Sequence, residues 1–259
     1  MVYQKAVMNL TYLDSNSWLI EIDDLRILLD PWLVGDLIFS NADWLFRGKK
    51  NNPQPIPENI DLILLSQGLE DHAHPPTLKK LNKQIPVVAS PNAAKVVEEL
   101  GYTDIHTLDH QESFQIEDIS IKAVPGSPIG PTLTENGYII KGLKSGKSIY
   151  YEPHGYHDDS LKEVAPIDVI ITPIINLKLP LLGAVIKGRK TALEVCQWLN
   201  PQVILSTAAG GDINFTGLLT SILKADGSVE EFSQLLEQNN LSTKAVDPQS
   251  GETIELSLV

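Results

Sequence analysis

The sequence predicts an α/β fold, a four-layer αββα sandwich with two sheets inside and helices outside, from three observations. Short strand-like runs come in closely spaced groups; amphipathic helical runs interrupt those groups in both halves of the chain; and the strands between Ser113 and Tyr151 leave no room for crossover helices. Two packed sheets, each covered on its outer face by helices, satisfy all three, whereas a doubly wound parallel sheet fails the last. With 259 residues, 42% of them hydrophobic and 20% charged, the chain is expected to form one domain over residues 1–259.

The chain opens with strand-like runs at Ala6 to Leu13, Ser17 to Ile22 and Arg26 to Leu29, which read as an antiparallel meander with Asp23-Asp24 in its second turn. Asp30-Pro31-Trp32 stops the third run, because proline supplies no ladder donor and fixes its own φ. Residues 34–59 hold three prolines and two glycines and are expected to form an irregular excursion near the rim of a site. Asp61 to Leu65 is expected as a buried strand, followed by a short helix at Thr77 to Leu81, a strand at Pro86 to Ala89 and a helix from Ser90-Pro91 to Gly101. Further strands are expected at Asp104 to Thr107, Ser113 to Ile116, Ser120 to Val124, Gly137 to Ile140, Ser148 to Tyr151, Val169 to Thr172 and Val203 to Leu205. Helices are expected at Thr191 to Leu199 and Val229 to Gln238, the second opened by a Ser228 and Glu231 capping box.

The formal net charge of −13 argues against nucleic acid as a partner, since phosphates must be met by clustered Lys and Arg. The modest cluster of Lys178, Lys187, Arg189 and Lys190 reads as a solvated rim. The single cysteine, Cys196, excludes an intramolecular disulfide, and its apolar neighbours Val195 and Leu199 point to burial. No run approaches the length of a membrane span and Met1 to Leu10 lacks a signal-peptide core, so a cytoplasmic location is expected.

Polar side chains crowd into one place, the loop Ser66-Gln67-Gly68-Leu69-Glu70-Asp71-His72-Ala73-His74 directly after the apolar run Asp61 to Leu65. Its segment Gln67 to His72 resembles the H-x-H-x-D-H loop of the metallo-β-lactamase superfamily, with Asp71 and His72 at the last two ligand positions. Leu28-Leu29-Asp30-Pro31-Trp32-Leu33, Pro57-Glu58-Asn59-Ile60-Asp61 and the paired runs Gly137 to Ile140 and Lys147 to Tyr151 resemble the L-ascorbate-6-phosphate lactonase-like branch. The resemblance spans nearly the whole chain and implies the metallo-β-lactamase fold.

The same resemblance marks where the ligands of a two-metal centre are missing. Gln67 and Leu69 replace two histidines, Val124-Pro125-Gly126-Ser127-Pro128 offers only Ser127 at the third motif, Pro153 stands at the bridging aspartate, and Ala208 occupies the last histidine position. What remains implies a degenerate centre, because an ordinary dinuclear zinc site lacks donors.

The fold implied by the resemblance brings the Asp71 loop and the loop Glu152-Pro153-His154-Gly155-Tyr156 to one end of the sandwich. Asp71, His72, Glu152 and His154, with His74 nearby, are therefore the candidate ligands of one zinc, manganese or iron ion, and Asp71, His72 and Glu152 the candidate catalytic groups. Two metal-free readings stand beside this: hydrogen-bonded packing inherited from an ancestral site, or an acid–base pair of Glu152 and His72. Asp30 reads as a supporting group, Gln67 as a carbonyl that orients water, and His106, His110 and His157 as packing or surface residues. Ser206-Thr207 with Gly210-Gly211 is too generic to define an anion site. The apolar run Ile174 to Ile186, centred on Pro180, suits core, a lid, or a face for a partner or apolar substrate.

Two functions follow. One is a metal-dependent hydrolase acting on an ester, lactone or phosphoester of a small-molecule substrate at a noncanonical single-metal site. The alternative is a catalytically inactive ligand-binding or scaffold protein that has lost the metal.

Overall fold

The computed structural model describes residues 7–129, 133–180, 183–208 and 210–257, so Ala6, Leu181, Leu182 and Ala209 of the segments above lie outside the described residues. Two seven-stranded sheets form its centre. The first runs, edge to edge, Thr253–Ser257, Val7–Tyr12, Trp18–Ile22, Leu25–Leu29, Leu62–Leu65, Val87–Ala89 and Ile105–Thr107. The second runs Lys244–Val246, Val203–Leu205, Val169–Ile171, Ser148–Tyr151, Leu133–Gly142, Ile119–Ile129 and Ser113–Ile116.

The layering follows from the two faces of each strand. Leu62 and Leu64 face the other sheet, where they join Trp18, Ile20, Ile121, Tyr138, Tyr151 and Ile171 in the central core. Ile63 and Leu65 point outward onto Leu78, Ala93 and Val97 of the helices Pro75–Lys80 and Pro91–Glu99. Because both faces are covered, this strand is apolar at every position, which is why Leu62–Leu65 shows no alternation. On the far side, Tyr150, Ile170 and Ile204 pack on Val195, Cys196, Leu199, Phe232 and Leu236 of the helices Lys190–Leu199 and Val229–Gln238. The molecule is therefore the expected four-layer αββα sandwich, and burial pushes the Cys196 thiol up to about 12. The Ser228 hydroxyl accepts from the Glu231 N–H at 3.2 Å, as the capping box requires. Among the described residues no helix is long and apolar enough to cross a membrane.

Three departures from the sequence reading shape the site. Residues 34–59 are not wholly irregular: Leu37–Ile38 and Arg47–Lys50 form a small sheet with Ile213–Thr216. Ser120 to Val124 lies in the first half of a longer strand, Ile119–Ile129, which passes Pro125 and Pro128 by shifting register between them. The apolar run Ile174 to Ile186 supplies Ile174 to the outer core and then the strands Asn176–Leu179 and Gly183–Ile186, which pair with each other; Asn176–Leu179 pairs on its other edge with Lys224–Asp226. These small sheets lie outside the sandwich at its ligand-bearing end, and each carries apolar side chains that no core absorbs.

Candidate functional site

Asp71 and His72 sit in the loop directly after Leu62–Leu65, at a strand end where side chains from neighbouring loops can converge. His72 is fully buried, and its two ring nitrogens have different surroundings. Nδ1 lies 2.6 Å from Asp30 Oδ2 and 3.1 Å from Ser66 Oγ, while Nε2 lies 3.2 Å from Asp71 Oδ2 and 3.2 Å from Asn16 Nδ2. Asp30 is the anchor of this arrangement, since its carboxylate also accepts from the Ser66 N–H at 2.8 Å, the Ser66 hydroxyl at 2.5 Å and the Tyr151 hydroxyl at 2.7 Å. Burial alone would lower the His72 pKa, but the flanking Asp71 and Asp30 carboxylates hold it well above the ordinary imidazole value. Burial pushes Asp71 upward, yet the neighbouring His72 outweighs it and keeps that carboxyl below its ordinary value. Asp71 Oδ1 is buried with no hydrogen-bond partner among the described residues.

His154 approaches from the loop after Ser148–Tyr151, its ring centroid 5.2 Å from that of His72. Its Nδ1 lies 2.8 Å from Oε1 of Glu135, a buried carboxyl that sequence reasoning missed. Glu135 also accepts from the Ser127 N–H at 3.0 Å and from Gln67 Nε2 at 2.8 Å. The third-motif segment thus contributes a backbone donor, delivered by the bulge between Pro125 and Pro128, instead of a side-chain ligand. Gly126 makes the room: a Cβ there would stand 2.9 Å from Glu135 Cγ. That glycine is the trace of Glu135 in the sequence, and it becomes legible only once the register of the two strands is known.

Glu152 is also fully buried, but its Oε2 is occupied by the backbone N–H groups of His154 at 3.2 Å, Tyr156 at 2.8 Å and Gly155. Among the described residues Oε1 has no hydrogen-bond partner, and a Glu135 carboxylate oxygen lies within 4.8 Å of the Glu152 carboxyl. Burial pushes Glu135 up to about 7, and burial together with the Glu135 charge pushes Glu152 well above the ordinary carboxylate value. The two form a carboxyl pair suited to sharing a proton behind His154, which burial and the His72 charge hold below the ordinary imidazole value.

Two groups of potential metal donors result, Asp71 with His72 and His154, and Glu135 with Glu152 and His154; in each, the donor atoms lie within 4.8 Å of one another. Four of the five expected ligands therefore converge. His74 does not join them: its Nδ1 lies 3.0 Å from Thr77 Oγ1 and its Nε2 3.3 Å from the Asp36 carbonyl, where it starts the helix Pro75–Lys80. Gln67 is turned to Glu135, His110 to the Glu135 carbonyl, and His106 to Asp104 and Phe114. The Thr207 hydroxyl accepts from Trp18 Nε1 and donates to the Ser15 carbonyl. Lys178, Arg189 and Lys190 pair with Asp226, Glu231 and Glu194, as a solvated rim would.

A cleft of about 460 Å³ opens over this cluster, with Ser15, Asn16, Asp71 and His154 at its polar end. Phe39, Phe46, Phe215, Leu177, Val185 and Leu219 form its walls, so both small sheets meet here; Ala208, at the last expected ligand position, also lines it.

His157 is half-buried beside Tyr150, whose hydroxyl lies 3.0 Å from Nδ1, with its Nε2 enclosed, and desolvation of the ring pushes its pKa down to about 3. A histidine whose folded pKa is depressed contributes stability above its unfolded pKa of about 6.5 and loses it as pH falls toward the folded value. We expect the wild-type chain to lose about 2 kcal/mol by pH 5 through this group. His157→Gln should lack that share of the loss; parallel urea midpoints for the two chains between pH 7 and pH 5 would refute it.

Residues 9–208 match the Beta-lactamase superfamily domain, and the chain belongs to the metallo-β-lactamase superfamily. It is 22% identical over 256 residues to a UPF0173 metal-dependent hydrolase from Methanopyrus kandleri, covering 96% of this chain and 100% of that protein. The fold also resembles the metallo hydrolase Igni18 from Ignicoccus hospitalis, with a TM-score of 0.68 at 16% identity over 96% of this chain and 98% of that one. The isothiocyanate hydrolase from Delia radicum gut bacteria gives a TM-score of 0.70 at 16% identity, over 97% of this chain and 100% of that one.

Proposed function

We propose that the chain is a metal-dependent hydrolase of an ester, lactone or phosphoester, with one divalent ion held by Asp71, His72 and His154. The observation that carries this reading is the matched orientation of the two histidines. Each places Nδ1 against a buried carboxylate, Asp30 for His72 and Glu135 for His154, which fixes the ring and directs Nε2 to a ligand. Asp71, whose Oδ1 is buried and unpartnered among the described residues, completes a three-donor set of the kind used by catalytic sites that keep one position open. A bound ion would polarise the scissile group and acidify water. Zinc, manganese and iron all suit such donors.

In this reading Asn16, through its contacts with Asp71 and His72, orients the donor set. Glu152 supports instead of ligating: with three backbone N–H groups on one oxygen and Glu135 nearby, it fixes the carboxyl that orients His154. The metal-dependent hydrolase from Methanopyrus kandleri supports the reaction class.

The test is metal analysis of protein purified without chelator. Near-stoichiometric metal is expected in the wild type and its loss in His72→Ala and His154→Ala, with a thermal midpoint that rises on adding zinc or manganese to the wild type alone. No stoichiometric metal and no change in stability would sink the reading and leave the binding-protein alternative, which a co-purified hydrophobic ligand without turnover would favour.

A further inference from the structure

We propose that the cleft takes the chain of a single-tailed amphiphile, with its polar head at Asp71 and His154; the head assignment rests on the reading above, the chain assignment does not. The walls carry the argument. Phe39, Phe46 and Phe215 form a row, with ring centroids 5.3 Å and 5.5 Å apart, opposite aliphatic groups from Asn176–Leu179 and Gly183–Ile186. None of the wall residues Phe39, Phe46, Val185, Phe215 and Leu219 belongs to the three cores of the sandwich, so core packing does not account for their apolar character.

The helix Leu218–Ile222 makes the same point within one element. Leu219, with Leu223 just after the helix, lines the cleft, while Leu218 and Ile222 on its other side are 56% and 39% exposed. Its first residue, Leu218, donates its N–H to the Trp44 carbonyl, and Trp44 is 68% exposed. Thr220 and Ser221 are the polar positions of this helix, and the exposed Leu218 and Ile222 are apolar surface that burial does not explain.

Polar groups of the lining gather where Asn16 contacts Asp71 and His72, and the rest of the lining is apolar apart from Thr220. A volume of about 460 Å³ lies in the lower half of the range for small-molecule sites, which suits a single slender chain.

Calorimetric titration of the purified full chain with 1-butanol, 1-hexanol, 1-octanol and 1-decanol, with and without added zinc, tests the inference. Each added methylene buried in the cleft is expected to tighten Kd about fourfold. Ala225→Trp, which fills the cleft from the exposed strand Lys224–Asp226, and Val185→Asp, which wets its wall, should each weaken decanol at least about tenfold at unchanged thermal midpoint. Affinity flat across the series, or decanol binding indifferent to both substitutions, overturns the proposal. Steep chain-length dependence with no turnover of acetate, butyrate, octanoate or laurate esters, nor of the matching lactones and phosphoesters, would support the chain site and sink the hydrolase reading. Turnover of acetate esters with no gain from longer acyl groups would do the reverse.

Discussion

Asp30→Ala is expected to lower the unfolding free energy by about 3–5 kcal/mol, the range for removing one partner of a buried charged pair. The Asp30 carboxylate is fully buried and accepts from the Ser66 N–H, the Ser66 hydroxyl and the Tyr151 hydroxyl, besides facing His72 Nδ1 at 2.6 Å. Alanine leaves all of these groups without an acceptor in a site that water does not reach, and each orphaned group carries its own desolvation cost. It also frees the His72 ring, so the stabilisation expected from added zinc or manganese should vanish with it. Asp30→Asn should cost less, because an amide keeps one acceptor oxygen and tolerates the φ of 41° found there. Urea unfolding with linear extrapolation measures both variants. A loss under about 1 kcal/mol for Asp30→Ala would show that Asp30 is not the anchor.

Asp14→Asn is expected to cost a comparable 3–5 kcal/mol, for a different reason. The Lys50 ammonium is buried 3.3 Å from Asp14 Oδ2, donates to the Leu13 carbonyl and lies 5.1 Å from the Trp32 ring centroid. Burial pushes the Lys50 pKa down while Asp14 pulls it back up, so the pair survives only as a pair. Asp14 Oδ1 also accepts from the Asp212 N–H at 3.0 Å, which ties the strands Arg47–Lys50 and Ile213–Thr216, and with them one wall of the cleft, to the first meander. Asp14→Asn would leave the Lys50 charge uncompensated. Lys50→Met added to it should restore much of the loss, giving a strong coupling in a double-mutant cycle. Additive effects would contradict the ion-pair account.

The two cases differ in how they read before the structure is known. Asp30 could be placed as a supporting group from its position between a strand end and Pro31, because that chemistry is local. Asp14 and Lys50 gave no such sign: they lie 36 positions apart, and each looks like an ordinary solvated charge until the small sheet folds back over the meander. Glu135 is the same kind of case inside the site itself. It lies at the head of Leu133–Gly142, before the point where the apolar pattern announces a strand, and its partners His154, Gln67 and Ser127 come from three other segments.

His74 fails in the opposite direction. Two positions from His72, it looks like a second ligand of one motif, but it starts the helix Pro75–Lys80 and its ring turns to Thr77 and Asp36. The local geometry that Pro75-Pro76 imposes sets the ring's direction, and proximity in sequence says nothing about that.

The sequence by itself determined the sandwich and the polar loop after Leu62–Leu65, because strand and helix periodicity and loop composition are properties of contiguous residues. Only the tertiary structure decided that Glu135 stands behind His154, that Glu152 is spent on backbone donors, and that two small sheets close an apolar cleft over Asp71. Those facts depend on strand register and on contacts between distant segments, where a shift of one residue turns every side chain to the opposite face.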